Sequence, residues 1–257
     1  MAAVIDLAGQ VRPVALVTGS ARRIGAAIAR CLHAAGFDLA LHCHTSRAEM
    51  DALAAQLDAL RPGSTLVLQA DLRQFDRLPE LVAHTVGRFG RLDGLVNNAS
   101  AFHPTPLGRT TPAQWDDLFA SNVRAPFFLA QAAAPHLAAT GGAIVNLADI
   151  HGERPLRAHS VYSMSKAAVV MMTRALALEL APAVRVNAIS PGAILWPEAG
   201  GGLEKDEAEK AAMLDRTPLQ RLGSPEEIAQ AVLWLLRDAS YSTGQVLRVD
   251  GGRLLET

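Results

Sequence analysis

Short apolar runs alternate with longer stretches of helical periodicity along the chain. The runs cover residues 13–18, 37–43, 64–70, 94–97, 143–147, 184–190 and 245–249. They are rich in Val, Leu, Ile and Ala, and turn residues bound them, as expected of buried strands. Between them, apolar residues recur three and four apart over 26–35, 48–60, 75–89, 111–119, 122–139, 161–180 and 225–236. That spacing places them on one face of a helix. Strand and helix thus alternate throughout, which predicts an α/β fold: a single doubly wound parallel seven-stranded sheet, a Rossmann fold, with helices on both faces. No linker or repeat interrupts the pattern, so residues 1–257 are read as one domain. The stretch 193–217, rich in Gly and charge, predicts a substrate loop or lid, with 204–213 as a short surface helix within it.

The longest helical stretch, 161–180, carries Tyr162 and Lys166 four residues apart, hence on one helix face. An ammonium beside a phenol favours the phenolate, so this pair predicts a tyrosine able to exchange a proton near neutrality. A lone Tyr-x-x-x-Lys is weak, being more often the solvated end of a helix. Its meaning depends on what the strand ends bring beside it.

In open parallel sheets ligands bind beyond the carboxyl ends of the strands. Gly19-Ser-Ala-Arg-Arg-Ile-Gly25 follows the first run and leads into a helix. Strand, glycine turn and helix form the context of a dinucleotide phosphate site, although the spacing is not G-x-G-x-x-G. The second run ends in His44-Thr-Ser-Arg47 and lacks the acid that binds a ribose 2′-hydroxyl in NAD sites. His44, Thr45, Ser46, Arg47 and Arg22 suit a 2′-phosphate instead, which predicts NADP(H). Asp71 and Leu72 close the third run, where an adenine ring would lie. Asn97-Asn98-Ala99-Ser100 closes the fourth, with Phe102 just beyond. Asn122 opens a helix, where it reads as structure alone as an N-cap. Asp149 follows the fifth run, thirteen residues before Tyr162, and Pro191-Gly192 the sixth.

Composition excludes several classes of function. Twenty-four basic residues nearly balance twenty-five acidic ones, so no basic field favours nucleic acid. Cys31 and Cys43 are too few for a disulfide framework, and no His, Cys or carboxylate set has ligand spacing, so no metal is expected. Neither a signal peptide nor a membrane span is evident, which predicts a soluble cytoplasmic protein.

Taken together, Thr18-Gly19 through Gly25, Asp71, Asn97-Asn98-Ala99, Asn122, Tyr162-x-x-x-Lys166, Asn187 and Pro191-Gly192 resemble the short-chain dehydrogenase/reductase superfamily in order and spacing. Three departures narrow the resemblance. Arg23 stands at the usual middle glycine, Asp149 at the usual catalytic serine, and the second strand ends His42-Cys-His-Thr-Ser46. With Ser100-x-Phe102, this combination is similar to the pteridine reductases and related dihydromonapterin or dihydrofolate reductases. The resemblance implies Asp149, Tyr162, Lys166 and Asn122 as catalytic, Asn122 helping to place a proton-relay water. It implies cofactor contacts from Gly19, Arg22, Arg23, Ile24, His44, Thr45, Ser46, Asp71, Leu72, Asn98, Ala99, Ser100, Tyr162, Lys166, Pro191 and Gly192. Substrate contacts would come from Arg23, Ser100, Phe102, Asp149, Tyr162, Leu195, Trp196 and Met213.

Asp149 also bears on the substrate directly. A carboxylate would repel an oxygen becoming alkoxide, whereas a ring nitrogen gaining a proton is favoured beside it. The expected reaction is NADPH-dependent reduction of a pterin or dihydropterin. A carbonyl reductase acting on a 3-oxoacyl thioester is the nearest alternative, and a catalytically silent NADP-binding sensor or scaffold a second. Surplus apolar surface on helices 122–139 and 161–180 predicts a subunit interface, and the resemblance implies a homotetramer.

Overall fold

The computed structural model describes residues 11–195 and 206–255. Seven strands form one parallel sheet: β1 (Val14–Val17), β2 (Asp38–Cys43), β3 (Thr65–Gln69), β4 (Gly94–Asn97), β5 (Ala143–Leu147), β6 (Arg185–Pro191) and β7 (Val246–Val249). Their spatial order is β3-β2-β1-β4-β5-β6-β7, so the direction of winding reverses between β1 and β4. A crevice opens at such a reversal, at the carboxyl ends of the strands.

The helices are α1 (Arg23–Ala34), α2 (Arg47–Leu60), α3 (Leu78–Phe89), α4 (Pro112–Phe119), α5 (Ala125–Ala138), α6 (Ser160–Leu180), α7 (Glu207–Asp215) and α8 (Pro225–Arg237). Strand side chains alternate between two apolar layers. Val14, Leu16, Leu95, Ile144 and Val186 pack with α3, α5 and α6 on one face. Ala15, Val17, Val96 and Val145 pack with α1, α2 and α8 on the other. Covering both faces explains why the central strands read as continuous apolar runs. Residues such as Leu16, Leu95 and Leu129 are fully buried, each contributing roughly 2 kcal/mol of transfer free energy.

Polar side chains cross the first layer in one line. Asn97 Nδ2 donates to Asn146 Oδ1 at 2.8 Å, and Asn146 Nδ2 donates to Thr173 Oγ1 at 2.9 Å, joining β4, β5 and α6.

One expectation about elements changes. The stretches 111–119 and 122–139 are not separate helices: a π turn at Ala120–Arg124 carries α4 into α5. Pro126, which has no N–H to return to an earlier carbonyl, follows this widened turn. Asn122 is therefore mid-helix and not an N-cap. The short surface helix expected at 204–213 is present as α7, which Asp206 caps through a reciprocal bond with Glu209.

Candidate active site

β1 leads into Gly19 at φ +62°, and α1 begins four residues later. A Cβ at Gly25 would lie 2.1 Å from the Gly19 carbonyl oxygen, so the turn and the helix touch through a space only glycine leaves. No side chain caps the first turn of α1, and its uncapped N–H groups border a cleft of about 530 Å³. A dinucleotide pyrophosphate fits such a cradle. Arg23 adopts φ +52°, in the left-handed region that favours glycine, which implies strain at an arginine.

The cleft gathers most of the expected cofactor residues: Gly19, Arg22, Arg23, Ile24, His44, Thr45, Ser46, Asp71, Leu72, Asn98, Ala99 and Ser100. Ser46 occupies the N-cap of α2 without a side-chain cap bond. Arg47 instead forks onto Asp51 at 2.9 Å and is not part of the lining. Arg73 chelates Asp71 at 2.8–3.0 Å and reaches Asp117 at 3.1 Å. Its hydrogen bonds hold the Asp71 carboxyl down at about 2. Arg73, Asp117 and Ser121 also line the cleft, as the sequence reading did not foresee.

Beneath the turn lies another unforeseen residue. The Gly19 N–H donates to His42 Nδ1 at 3.2 Å, while His42 Nε2 lies 3.0 Å from the Ala70 carbonyl. A carbonyl only accepts, so the ring is neutral with its proton on Nε2. Burial lowers its pKa to about 4, against the opposing effect of the Ala70 bond. The only sequence signal was a polar residue inside an apolar strand.

At the end of β5, Asp149 caps a short turn at Ile150–Gly152 by accepting the His151 N–H at 2.8 Å through Oδ1. Its Oδ2 accepts the Tyr162 phenol at 2.8 Å. A Cβ at Gly152 would meet the Lys166 backbone at 2.8 Å, so glycine lets this turn lie directly on α6. Lys166 is buried, donates to the Leu147 carbonyl at 2.9 Å and sits 5.7 Å from the Tyr162 ring centre. Asn122 stands behind them: Oδ1 accepts from Ala101 N–H at 2.8 Å and Ser100 Oγ at 3.1 Å. Its Nδ2 donates to the Ala101 carbonyl and to Ser165 Oγ, both at 3.0 Å. Ser165, next to Lys166, was also missed.

The electrostatics differ from the expected pairing. Tyr162 is 4% exposed, and burial raises its pKa well above 10, with the charge and then the hydrogen bond of Asp149 acting in the same direction. Lys166 does not offset this. Burial lowers its own pKa to about 8, partly opposed by Asp149. Tyr162 is thus a protonated donor to a carboxylate, not a phenol poised to ionise.

On the substrate side, the Phe102 and Tyr162 rings meet in a T at 4.6 Å between ring centres, Phe102 stacks on His159 at 4.8 Å, and the Phe102 side chain is 41% exposed. Pro191 pairs with Val249, and Gly192 N–H donates to the Val249 carbonyl at 3.0 Å. Pro191, Gly192, Leu195 and Met213 lie outside the lining of the cleft, and so do Phe102, Asn122, Asp149, Tyr162 and Lys166. Trp196 lies outside the described residues.

Residues 19–253 match the family model described as enoyl-(acyl carrier protein) reductase. The chain is 38% identical to pteridine reductase 1 of Leishmania tarentolae, over 93% of this chain and 96% of that one. It is 41% identical to the granaticin polyketide synthase putative ketoacyl reductase 2 of Streptomyces violaceoruber, over 93% and 95%. It is 34% identical to a 3-oxoacyl-[acyl-carrier-protein] reductase of Staphylococcus epidermidis, over 93% and 97%. Among the described residues, no helix is long and apolar enough to cross a membrane.

Proposed function

Because the chain belongs to the short-chain dehydrogenase/reductase family and is a nicotinamide-dependent oxidoreductase, we propose that it reduces dihydropterins to tetrahydropterins with NADPH. The observation that carries this reading is Asp149 bonded to Tyr162 at 2.8 Å, where the family pattern has a hydroxyl. Bound NADPH supplies the hydride. The chain supplies the placement: the Tyr162 phenol donates to Asp149 Oδ2, and the proton gained by a ring nitrogen passes through that hydrogen-bonded pair. A carboxylate beside that nitrogen favours the protonated ring and disfavours a developing alkoxide. The exposed side of Phe102 offers a pterin ring an aromatic surface. Lys166 would hold the nicotinamide ribose, and Asn122 holds the loop at Ser100 and Ala101.

NADPH over NADH is supported by His44, Thr45, Ser46 and Arg22 in the cleft, where β2 ends without an acid. A homotetramer is supported by an apolar groove of about 420 Å³ between α5 and α6, lined by Phe127, Phe128, Met172 and Leu176. Unpaired Cys31 and Cys43 suit a reducing compartment such as the cytoplasm.

The test follows NADPH oxidation with dihydrobiopterin, dihydromonapterin and dihydrofolate beside a 3-oxoacyl thioester. Turnover of a dihydropterin is expected, with NADH much poorer than NADPH. Turnover of the thioester alone overturns the substrate class.

A further inference from the structure

Three segments that carry arginines are joined beyond the carboxyl ends of β5, β6 and β7. Arg154 follows the Ile150–Gly152 turn, its N–H on the Ile150 carbonyl at 2.9 Å. Arg216 is the C-cap residue of α7. Arg253 lies in the turn after β7, which Asp250 shapes by accepting the Gly252 and Leu254 N–H groups at 2.9 Å each. An ion pair from Glu153 to Arg248 fastens the Arg154 segment to β7. The Leu219 N–H donates to the Gly251 carbonyl at 3.1 Å, fastening the chain just after Arg216 to the turn that holds Arg253.

Arg253 is half-buried, and among the described residues its guanidinium has neither a hydrogen bond nor an ion pair. Burial holds its pKa below the ordinary arginine value. Arg154 and Arg216 push it the same way, while Asp149 and Asp250 oppose them. Those carboxylates have other donors: Asp149 takes Tyr162 and His151, and Asp250 takes its own turn. A partly desolvated guanidinium beside two others is unfavourable unless an anion meets it. The phosphates of a dinucleotide would not be that anion. Their cleft lies at the ends of β1 to β4, on the other side of Asp149 in the strand order.

We propose that the substrate reduced at Asp149 and Tyr162 carries an anionic group, a carboxylate or a phosphate, remote from its reacting ring, and that Arg154, Arg216 and Arg253 receive it. The proposal rests on the reading of that pair as the reducing centre. Guanidinium forks match the geometry of both anions.

Binding to the NADP⁺ complex of the full chain is measured by calorimetry on pairs of compounds differing in tail charge, so that charge preference is read without turnover. The pairs are dihydrofolate against its dimethyl ester, 6-hydroxymethyl-dihydropterin against its phosphate monoester, and 3-oxobutanoyl coenzyme A against 3-oxobutanoyl N-acetylcysteamine. The anionic member of at least one pair is expected to bind about tenfold more tightly. Arg253→Gln and Arg154→Gln should each remove most of that ratio, and Arg253→Lys should retain more of it. Arg237→Gln, which takes the same charge from the exposed end of α8, should leave the ratio unchanged. A response in the folate pair alone assigns a carboxylate, and one in the alcohol pair alone a phosphate. A ratio confined to the thioester pair, with no dihydropterin bound or reduced, keeps the anion site and refutes the pterin reading. Equal binding within every pair, or a ratio that survives both glutamine variants, overturns the anion site. Arg154→Gln, on an exposed turn, carries the test if Arg253→Gln does not fold.

Discussion

Tyr162 gives its phenolic hydrogen to Asp149 across 2.8 Å, and the carboxylate that receives it also keeps the phenol from ionising. The two side chains come from different elements, α6 and the turn after β5, brought together where Gly152 rests on Lys166. Donor and acceptor form one hydrogen-bonded unit beyond the carboxyl end of β5.

Asp149→Asn keeps the shape and removes the charge. Turnover of a dihydropterin should fall by about 10²–10⁴-fold, the usual worth of a positioned acid or base. The alkaline limb of kcat/KM should move to lower pH, because the two contributions of Asp149 to the raised Tyr162 pKa disappear and burial alone remains. A pH profile whose alkaline limb stays in place would contradict the coupling.

Lys166 makes its own pH signature in stability. Its folded pKa of about 8 lies below the ordinary lysine value of 10.5, so between those values the unfolded chain binds more protons than the folded one. Stability from this group therefore rises as pH increases from about 8 towards 10, and its penalty is complete below 8. Chemical denaturation of wild type and Lys166→Met across that range should show the variant's relative stability declining as pH rises. A difference independent of pH would mean that Lys166 is not buried as a cation.

His42→Leu should leave the Gly19 N–H and the Ala70 carbonyl without their partner. The KM for NADPH should rise about tenfold while kcat changes less, since the loop and not the proton relay is disturbed. The folded ring resists protonation down to about 4, against 6.5 unfolded, so wild-type stability from this group falls as pH drops through that window. Acid titrations of both proteins should converge towards pH 4, and parallel curves would exclude the buried neutral ring.

Arg23→Gly relieves a left-handed backbone at a residue with a side chain. Relief of about 1 kcal/mol or more is opposed by the extra freedom of glycine in the unfolded chain, so stability should stay within about 1 kcal/mol. NADPH affinity should nevertheless drop, as read by fluorescence titration. Unchanged affinity would make the arginine incidental to the cleft.

The central strands were legible because both faces of each are covered, so they appear as apolar runs bounded by turn residues. The cleft was legible because a phosphate site needs a strand, a glycine turn and a helix in immediate succession, as Val17 through Arg23 provide. Long-range contacts left weaker traces. His42 and Ser165 act through residues 23 and 43 positions away, and single polar letters in apolar stretches give no hint of the partner. Asn122 was placed at a helix start because helical periodicity breaks there; the break is a π turn, which shifts the phase without ending the helix. The direction of the Tyr162 shift was misjudged for a related reason. Spacing on one helix shows that Lys166 is near, but not that the carboxylate is nearer and the phenol buried.

The line from Asn97 through Asn146 to Thr173 has a consequence for assembly of the chain. Slipping β4 by one residue against β5 would turn the two amides to opposite sides and leave each dehydrated and unmatched. Misaligned packed states are thereby disfavoured, and the register from which Asp149 emerges is fixed by the chain itself, ahead of any encounter with a ligand.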